Sequence, residues 1–385
     1  MDFINLLGSA WPEDNFWAGL IKFFDVGSYA WTIILFTVVL KLVLSPLDFL
    51  QRFYTNKTTR MQAKLQPELE KLKKRYGQNQ TLLYQKQNEL YQKHNVNMKG
   101  SCIVMIVYMA VTLTVFLTFF NSLQSISGFK IEKQYEQLQS TYYNSQEYNN
   151  YAEFLNVTDI EQFKLKTISE KQTEINSLEE AKKQLLIDGG ASEAEASLQI
   201  INDKNTYLED AQILVVKKYT EIKDDFLWIK NIWRSDKATV TEIPNYADFK
   251  ALSGTSVTEV EYNEVMGKLL ANYNNSNQVN GYYILSIIVV LVSFLSQWLT
   301  RKITQPKTKD GQAIQQPGMT KVLMFLMPVM MLFFTISSSA IFALYIITNT
   351  VITTALIPVI TIVSNKIEDK KEKQRKEAIK VDYRR

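Results

Sequence analysis

Residues Val322 to Asn365 read VLMFLMPVMMLFFTISSSAIFALYIITNTVITTALIPVITIVSN and contain no aspartate, glutamate, lysine or arginine. As one straight helix these 44 residues would run about 66 Å at ~1.5 Å per residue, twice a ~30 Å hydrocarbon core. The stretch is therefore expected to fold back on itself as a transmembrane hairpin over 321–363, turning at Ser337-Ser338-Ser339. Pro328 falls in its first arm and Pro358 near the end of its second.

Working outward, residues 100–129 and 269–300 are equally free of charge, and 29–50 carries only Lys41 and Asp48. These runs predict spans at 29–50, 101–124 and 281–300. The chain of 385 residues is 46% apolar and 21% charged, an ordinary average that conceals strict segregation of the charge. The expected fold is an all-α integral membrane protein with five transmembrane helices.

Charge orients the spans. Residues 51–100 hold 11 Lys/Arg against 3 Asp/Glu, the 301–321 stretch 5 against 1, and the tail 365–385 9 against 5. The first 28 residues hold 1 against 4, and 125–278 holds 16 against 25. Short Lys/Arg-rich segments stay in the cytoplasm, which gives N-out/C-in. Residues 1–28 then form an extracytoplasmic segment, 51–100 a basic cytoplasmic helical hairpin and 125–280 a large extracytoplasmic helical insertion. The 301–320 segment is a cytoplasmic loop, and 364–385 a basic cytoplasmic tail that is helical in pattern. The acidic start lacks the basic segment that opens a secretory signal.

Within 51–100, Met61, Leu65, Leu69, Leu72 and Tyr76 recur at helical spacing, Gly77-Gln78-Asn79 supplies a turn, and a weaker helix follows. Its basic residues Arg60, Lys64, Lys71, Lys74 and Arg75 form either a solvated face or a contact for a nascent chain, anionic headgroups or a ribosome-associated partner. The outer insertion shows helical patterns at 129–143, 158–187 and 192–223. Ile168, Ile175, Leu178 and Leu185 suggest a seam, and 188–192 a break and cap. Phe226-Leu227-Trp228-Ile229 and Trp233 read as an interfacial aromatic segment.

One cysteine (Cys102) and one histidine (His94) exclude a disulfide framework and Cys- or His-cluster metal sites. No phosphate loop or dinucleotide fingerprint occurs. No catalytic residue, metal site, cofactor or specific nucleic-acid site is expected.

Lys41 is the informative residue. A lysine at mid-span depth costs about 2.5–3.5 kcal/mol on insertion scales, so it must face water, a partner or backbone carbonyls, or else snorkel. Thr37 and Ser45 share its face at i−4 and i+4. Asp48, seven residues on, gives a possible but long pair. Tyr108 and Thr112 in the second span, and Thr348 and Asn349 in the fifth, could complete a hydrated groove. One positive charge in such a groove would attract the polar or acidic outer segment of a membrane protein in transit.

The sequence here resembles the YidC/Oxa family of membrane protein insertases. The resemblance rests on the run from Trp31 through Lys41-Leu-Val-Leu-Ser-Pro46-Leu47, and on Gln66-Pro67-Glu68-Leu69. Tyr91-Gln-Lys-His94-Asn-Val96-Asn97, Phe226-Leu-Trp228-Ile, Met327-Pro328 and Leu344-Tyr345-Ile-Ile-Thr348-Asn349 extend it. It implies a five-helix core with a hydrophilic groove and a cytoplasmic hairpin. It also implies bacterial plasma-membrane location, nascent membrane proteins as clients, and action alone or beside the Sec translocon and ribosome, without nucleotide hydrolysis. The family's groove arginine falls on Lys41. Departures at Met98, Tyr108 and Ala110, the large outer insertion, and a short segment before the core mark a divergent, Gram-positive-type member. Two other readings stay open: a small transporter or channel using the intramembrane lysine, and an envelope scaffold acting through its outer helical loop.

Overall fold

Uncharged runs of Leu, Ile, Val and Phe in hydrocarbon must satisfy every backbone polar group within the segment, and the helix does so. A computed structural model describes residues 11, 12, 14–94, 98–274, 278–304 and 318–382. Among these the architecture is all-α, with two isolated β-bridges and no strand. The chain divides into two units, an apolar one from Leu20–Leu123 with Ile284–Arg385, and a tyrosine-rich one from Met1–Gly19 with Gln124–Tyr283.

After a short helix α1 (Phe16–Lys22), helix α2 runs from Tyr29 to Tyr76 without interruption. The first expected span and the first arm of the basic hairpin are thus one 48-residue helix. Both segments have a 3.6-residue period, and neither Pro46 nor Pro67, although internal, breaks it. Pro46 lacks the N–H that would bond the Leu42 carbonyl, and the Ser45 hydroxyl donates to that same carbonyl at 2.7 Å. The turn after Tyr76 leads to α3 (Gln80–Lys93), capped by the Asn79 side chain on the Leu82 N–H at 3.1 Å. Helix α3 returns along α2, and His94 Nε2 lies 3.8 Å from a Glu68 carboxylate oxygen. The Val96-Asn97 end of the family-like run lies outside the described residues, as do 305–317 of the expected 301–320 loop.

Helix α4 (Met98–Tyr143) contains the second apolar run and the expected 129–143 helix in one piece, contributing to both units. Towards the other end of the chain follow α11 (Ile284–Thr304), α12 (Gly318–Ser337) and α13 (Ala340–Asp382). The turn between α12 and α13 falls at Ser338-Ser339, with Ser338 Oγ donating to the Phe334 carbonyl. Among the described residues four helical stretches are long and apolar enough to cross a membrane: Tyr29–Met61, Cys102–Tyr143, Ile284–Thr304 and Ala340–Lys371. Phe325–Ser337 in α12 is apolar but shorter.

In the tyrosine-rich unit, α5 (Gln146–Phe154), α6 (Ile160–Leu165), α7 (Ile168–Asp188) and α8 (Glu193–Ile222) follow α4. An irregular segment then leads to α9 (Tyr246–Ser253) and α10 (Glu259–Asn274). Both α7 and α8 start with complete capping boxes, Thr167/Glu170 and Ser192/Glu195. The seam between them differs from the expected one. Ile175 is buried, but Leu185 is 71% exposed. Near their connection the helices are joined instead by ion pairs, Lys182–Asp203 and Lys183–Glu193, each at 3.3 Å. Helix α8 turns its Ala/Ile/Leu/Val face towards α5 and α10 as well as α7.

Trp233 does not form an exposed interfacial belt. It is 1% exposed, and its indole N–H donates to Asp224 at 2.6 Å. A partner for its polar edge makes full burial tolerable. Residues 226–229 form a tight backbone turn with Leu227 at φ 55°. Gly128 allows close approach of the last turn of α9, since a Cβ there would collide with the Leu252 carbonyl oxygen.

The core of this unit is polar at its centre. Tyr142, Tyr143, Tyr148 and Tyr151 are buried. Tyr142 donates to Glu264 at 3.3 Å and Tyr151 to Glu179 at 2.8 Å, while Lys204 lies 3.2 Å from both carboxylates. The Lys171 ammonium closes the end of α4, donating to Asn144 Oδ1 at 2.7 Å and the Tyr143 carbonyl at 3.3 Å. Burial raises the pKa of Glu264, against the opposing pull of the Lys204 charge. A carboxyl raised in the folded state stabilises when protonated, and that contribution is lost as pH climbs through the raised value. The unfolding transition of this unit should therefore move up as pH falls through that raised value towards the ordinary carboxyl range. Glu264→Gln should flatten that change, read by thermal scans of the full chain in detergent.

Candidate functional site

Among the described residues the apolar unit holds one buried ion pair, formed within α2. Lys41 Nζ and Asp48 Oδ2 are 2.8 Å apart, with side chains 9% and 6% exposed. Seven residues are almost two helical turns, about 10.5 Å of rise, and the long lysine stem spans them along one face of α2. Tyr108 from α4 donates its hydroxyl to the other Asp48 oxygen at 2.9 Å. Arg52, one turn beyond Asp48, interacts electrostatically with both Asp48 and Tyr108. The centre is therefore cation, carboxylate and phenol, with a second cation adjacent.

Contacts at the two ends of α2 fix the level of this centre against its neighbours. Arg60 Nη1 bonds Asp369 Oδ1 at 3.0 Å. At the other end Phe36 stacks on Phe119 of α4, 5.7 Å between centroids, and Phe119 meets Tyr345 at 4.6 Å. Asp369 stands 309 positions after Arg60, and Tyr345 stands at the same interval after Phe36, the two rings meeting through Phe119 between them. Helices α2 and α13 thus run parallel in constant register, and Asn349 and Thr350 lie at the level of Lys41. Helix α4 runs antiparallel, since Tyr108 meets Asp48 and Phe119 meets Phe36, so Thr114 reaches the same level. Towards the start of α2, Phe116 and Phe120 of α4 pack on Phe334 and Phe342. An aromatic layer therefore sits roughly 7–8 Å from Lys41 along the helix axis.

The sequence-designated groove residues fall into two groups. Lys41 and Tyr108 converge, through Asp48. Thr37 is buried, and its hydroxyl donates to the Ile33 carbonyl at 2.6 Å; Thr112 donates to the Tyr108 carbonyl at 2.7 Å. Ser45 is committed to the gap left by Pro46. Thr348 and Asn349 are half-buried on α13. Further along α13, Thr354 donates to Ser296 of α11 at 2.6 Å. The Thr361 and Ser364 hydroxyls are buried with no hydrogen-bond partner among the described residues. These continue the polar content of α13 towards its charged end. Of the basic set, Arg60 pairs with Asp369, while Lys64, Lys71, Lys74 and Arg75 are exposed, Arg75 lying 5.7 Å from the Tyr76 ring centre.

Asp48 and Arg52 were not among the designated groove residues. The signal for Asp48 was its seven-residue spacing from Lys41, nearly two full turns. For Arg52 it was the further four-residue step.

Comparison with known proteins places these observations in context. A family model described as "60Kd inner membrane protein" matches residues 21–184 and 212–380. Proteins named "Membrane protein insertase YidC" are similar over shorter stretches. One from Fusobacterium nucleatum subsp. nucleatum is 36% identical over 91 residues, 24% of this chain and 42% of that protein. One from Clostridium tetani is 34% identical over 101 residues, 26% and 44% of the two chains. One from Nitrosococcus oceani is 37% identical over 114 residues, 29% and 20%. The match spans less than half the length of each of these relatives. No solved structure matches the chain.

Two stability outcomes follow. Lys41→Met leaves the Asp48 carboxylate to Tyr108 and Arg52 alone and should cost up to about 3–5 kcal/mol, whereas Lys41→Met/Asp48→Asn should recover most of it. Thermal unfolding in detergent reads both. Ser45→Ala leaves the Leu42 carbonyl unbonded and should cost about 1–3 kcal/mol, with recovery on adding Pro46→Ala; a loss of similar size in a Pro46→Ala background would refute that role for the serine.

Proposed function

The chain belongs to the family described as 60Kd inner membrane protein, and from that membership we propose that it is a membrane protein insertase and chaperone. Its clients are nascent membrane proteins and its medium is the bacterial plasma membrane. The observation that carries the reading is the buried Lys41–Asp48–Tyr108 centre, set among hydroxyl-bearing stretches of α4 and α13.

Such a centre suits a transit groove for physical reasons. A polar outer segment crossing a bilayer loses its water, and fixed dipoles and hydroxyls at mid-depth replace part of that hydration. A groove that is polar over its inner part shortens the hydrophobic distance to be crossed. The aromatic layer at the start of α2 suits the role of a seal against free ion flow. On this reading α12 completes five spans, N-out/C-in, with α13 carrying the chain back to the cytoplasm. The exposed Lys64, Lys71, Lys74 and Arg75, with the basic end of α13, then face the cytoplasm and receive the ribosome or the Sec translocon by charge.

Reconstitution tests the proposal. Purified protein in liposomes receives a small single-span client whose outer tail becomes protease-protected on crossing. Protection well above protein-free vesicles is expected, falling severalfold for Lys41→Met/Asp48→Asn, the variant that keeps the fold but removes the charges. Folded protein that gives no protection above empty vesicles would refute autonomous insertion.

A further inference from the structure

The lysine in the groove is not an open positive charge. Lys41 Nζ sits 2.8 Å from Asp48, both side chains are more than nine-tenths buried, and Tyr108 fixes the carboxylate from the opposite side. A client carboxylate approaching Lys41 meets a neutralised pair. It can bind the ammonium only by displacing Asp48. Resting on the insertase reading, we infer that Asp48 is the specificity-determining residue of this groove, an internal competitor that a client's acidic residue must exchange against.

The surroundings make the exchange feasible. A carboxylate that loses its partner in a low-dielectric site is strongly disfavoured unless another positive group or donor takes it. Asp48 has both within reach. Tyr108 already donates to it at 2.9 Å, and Arg52 lies one turn along the same helix and within electrostatic reach of Asp48. Rotation of the Asp48 side chain towards Arg52 therefore trades one cation for another without leaving a bare charge. The client carboxylate then pairs with Lys41, at the level of Asn349 and Thr350. When the client moves on, Asp48 returns to Lys41, so Lys41 is paired with a carboxylate in either state. A segment without an acidic residue cannot drive the exchange and passes a dipole instead of a cation. The pair thus lowers the preference for acidic clients below what a lone lysine would give.

The test uses the full chain in liposomes and two single-span clients identical except for one outer-tail residue, Asp in one and Asn in the other. The readout is the ratio of their protease-protected yields per folded insertase. Wild type is expected to give a ratio close to one. Asp48→Asn, which keeps a polar group beside Tyr108 but frees the lysine, should raise the ratio at least threefold. Asp48→Ser supplies a second neutral variant should the amide fold poorly. Adding Lys41→Met to either should return the ratio to one. A ratio unmoved by both Asp48 variants, with both clients still inserted, overturns the exchange and leaves the insertase reading intact. If wild type inserts neither client above empty vesicles, the insertase reading itself fails and this inference falls with it.

Discussion

An ammonium and a carboxylate two turns apart on α2, closed to 2.8 Å, set the conditions for the rest of the apolar unit. Either charge alone at that depth would have to reach water or neutralise, whereas together they form a dipole that a membrane interior tolerates. That dipole demands a donor from the neighbouring helix, which Tyr108 provides, and this in turn ties the level of α4 to that of α2. The aromatic contacts at Phe36, Phe119 and Tyr345 extend the same alignment to α13. The polar residues of three helices consequently share a depth, although no two of the helices are neighbours in sequence.

Much of the apolar unit was legible because absence of charge is a strong signal. The run 322–365 could not be one span by length alone, and its turn falls at the serines as the polarity suggested. Continuity was harder to see. The apolar span and the basic arm of α2 obey the same 3.6-residue period, and so do the span and the polar end of α4. Only packing distinguishes a break from a change of environment. The Lys41–Asp48 pair was readable as spacing but not as a bond, because the outcome depends on the lysine rotamer and on Tyr108, whose approach is set by contacts far along the chain.

The tyrosine-rich unit was legible as helices and obscure as a core. Heptad spacing marked Ile175 and Leu185 alike, yet only Ile175 is buried, because ion pairs join α7 and α8 near their connection. Trp233 looked interfacial, since an aromatic beside charged residues commonly is. Asp224 gives its indole a partner and so allows burial. The glutamates and Lys204 at the centre of the tyrosine cluster gave no sequence signal. Residues 60 positions apart can neutralise one another only when the fold has been made.

The hydroxyl of Ser45 on the Leu42 carbonyl also constrains how this segment can drift through generations of substitution. Serine and proline stand in adjacent codons but are unequal partners. Losing the proline first restores a backbone N–H and merely idles the serine, a nearly silent step. Losing the serine first strands a carbonyl in hydrocarbon, a step that selection would oppose. Descent at these two positions therefore has a preferred order, with proline free to leave before serine and seldom the reverse.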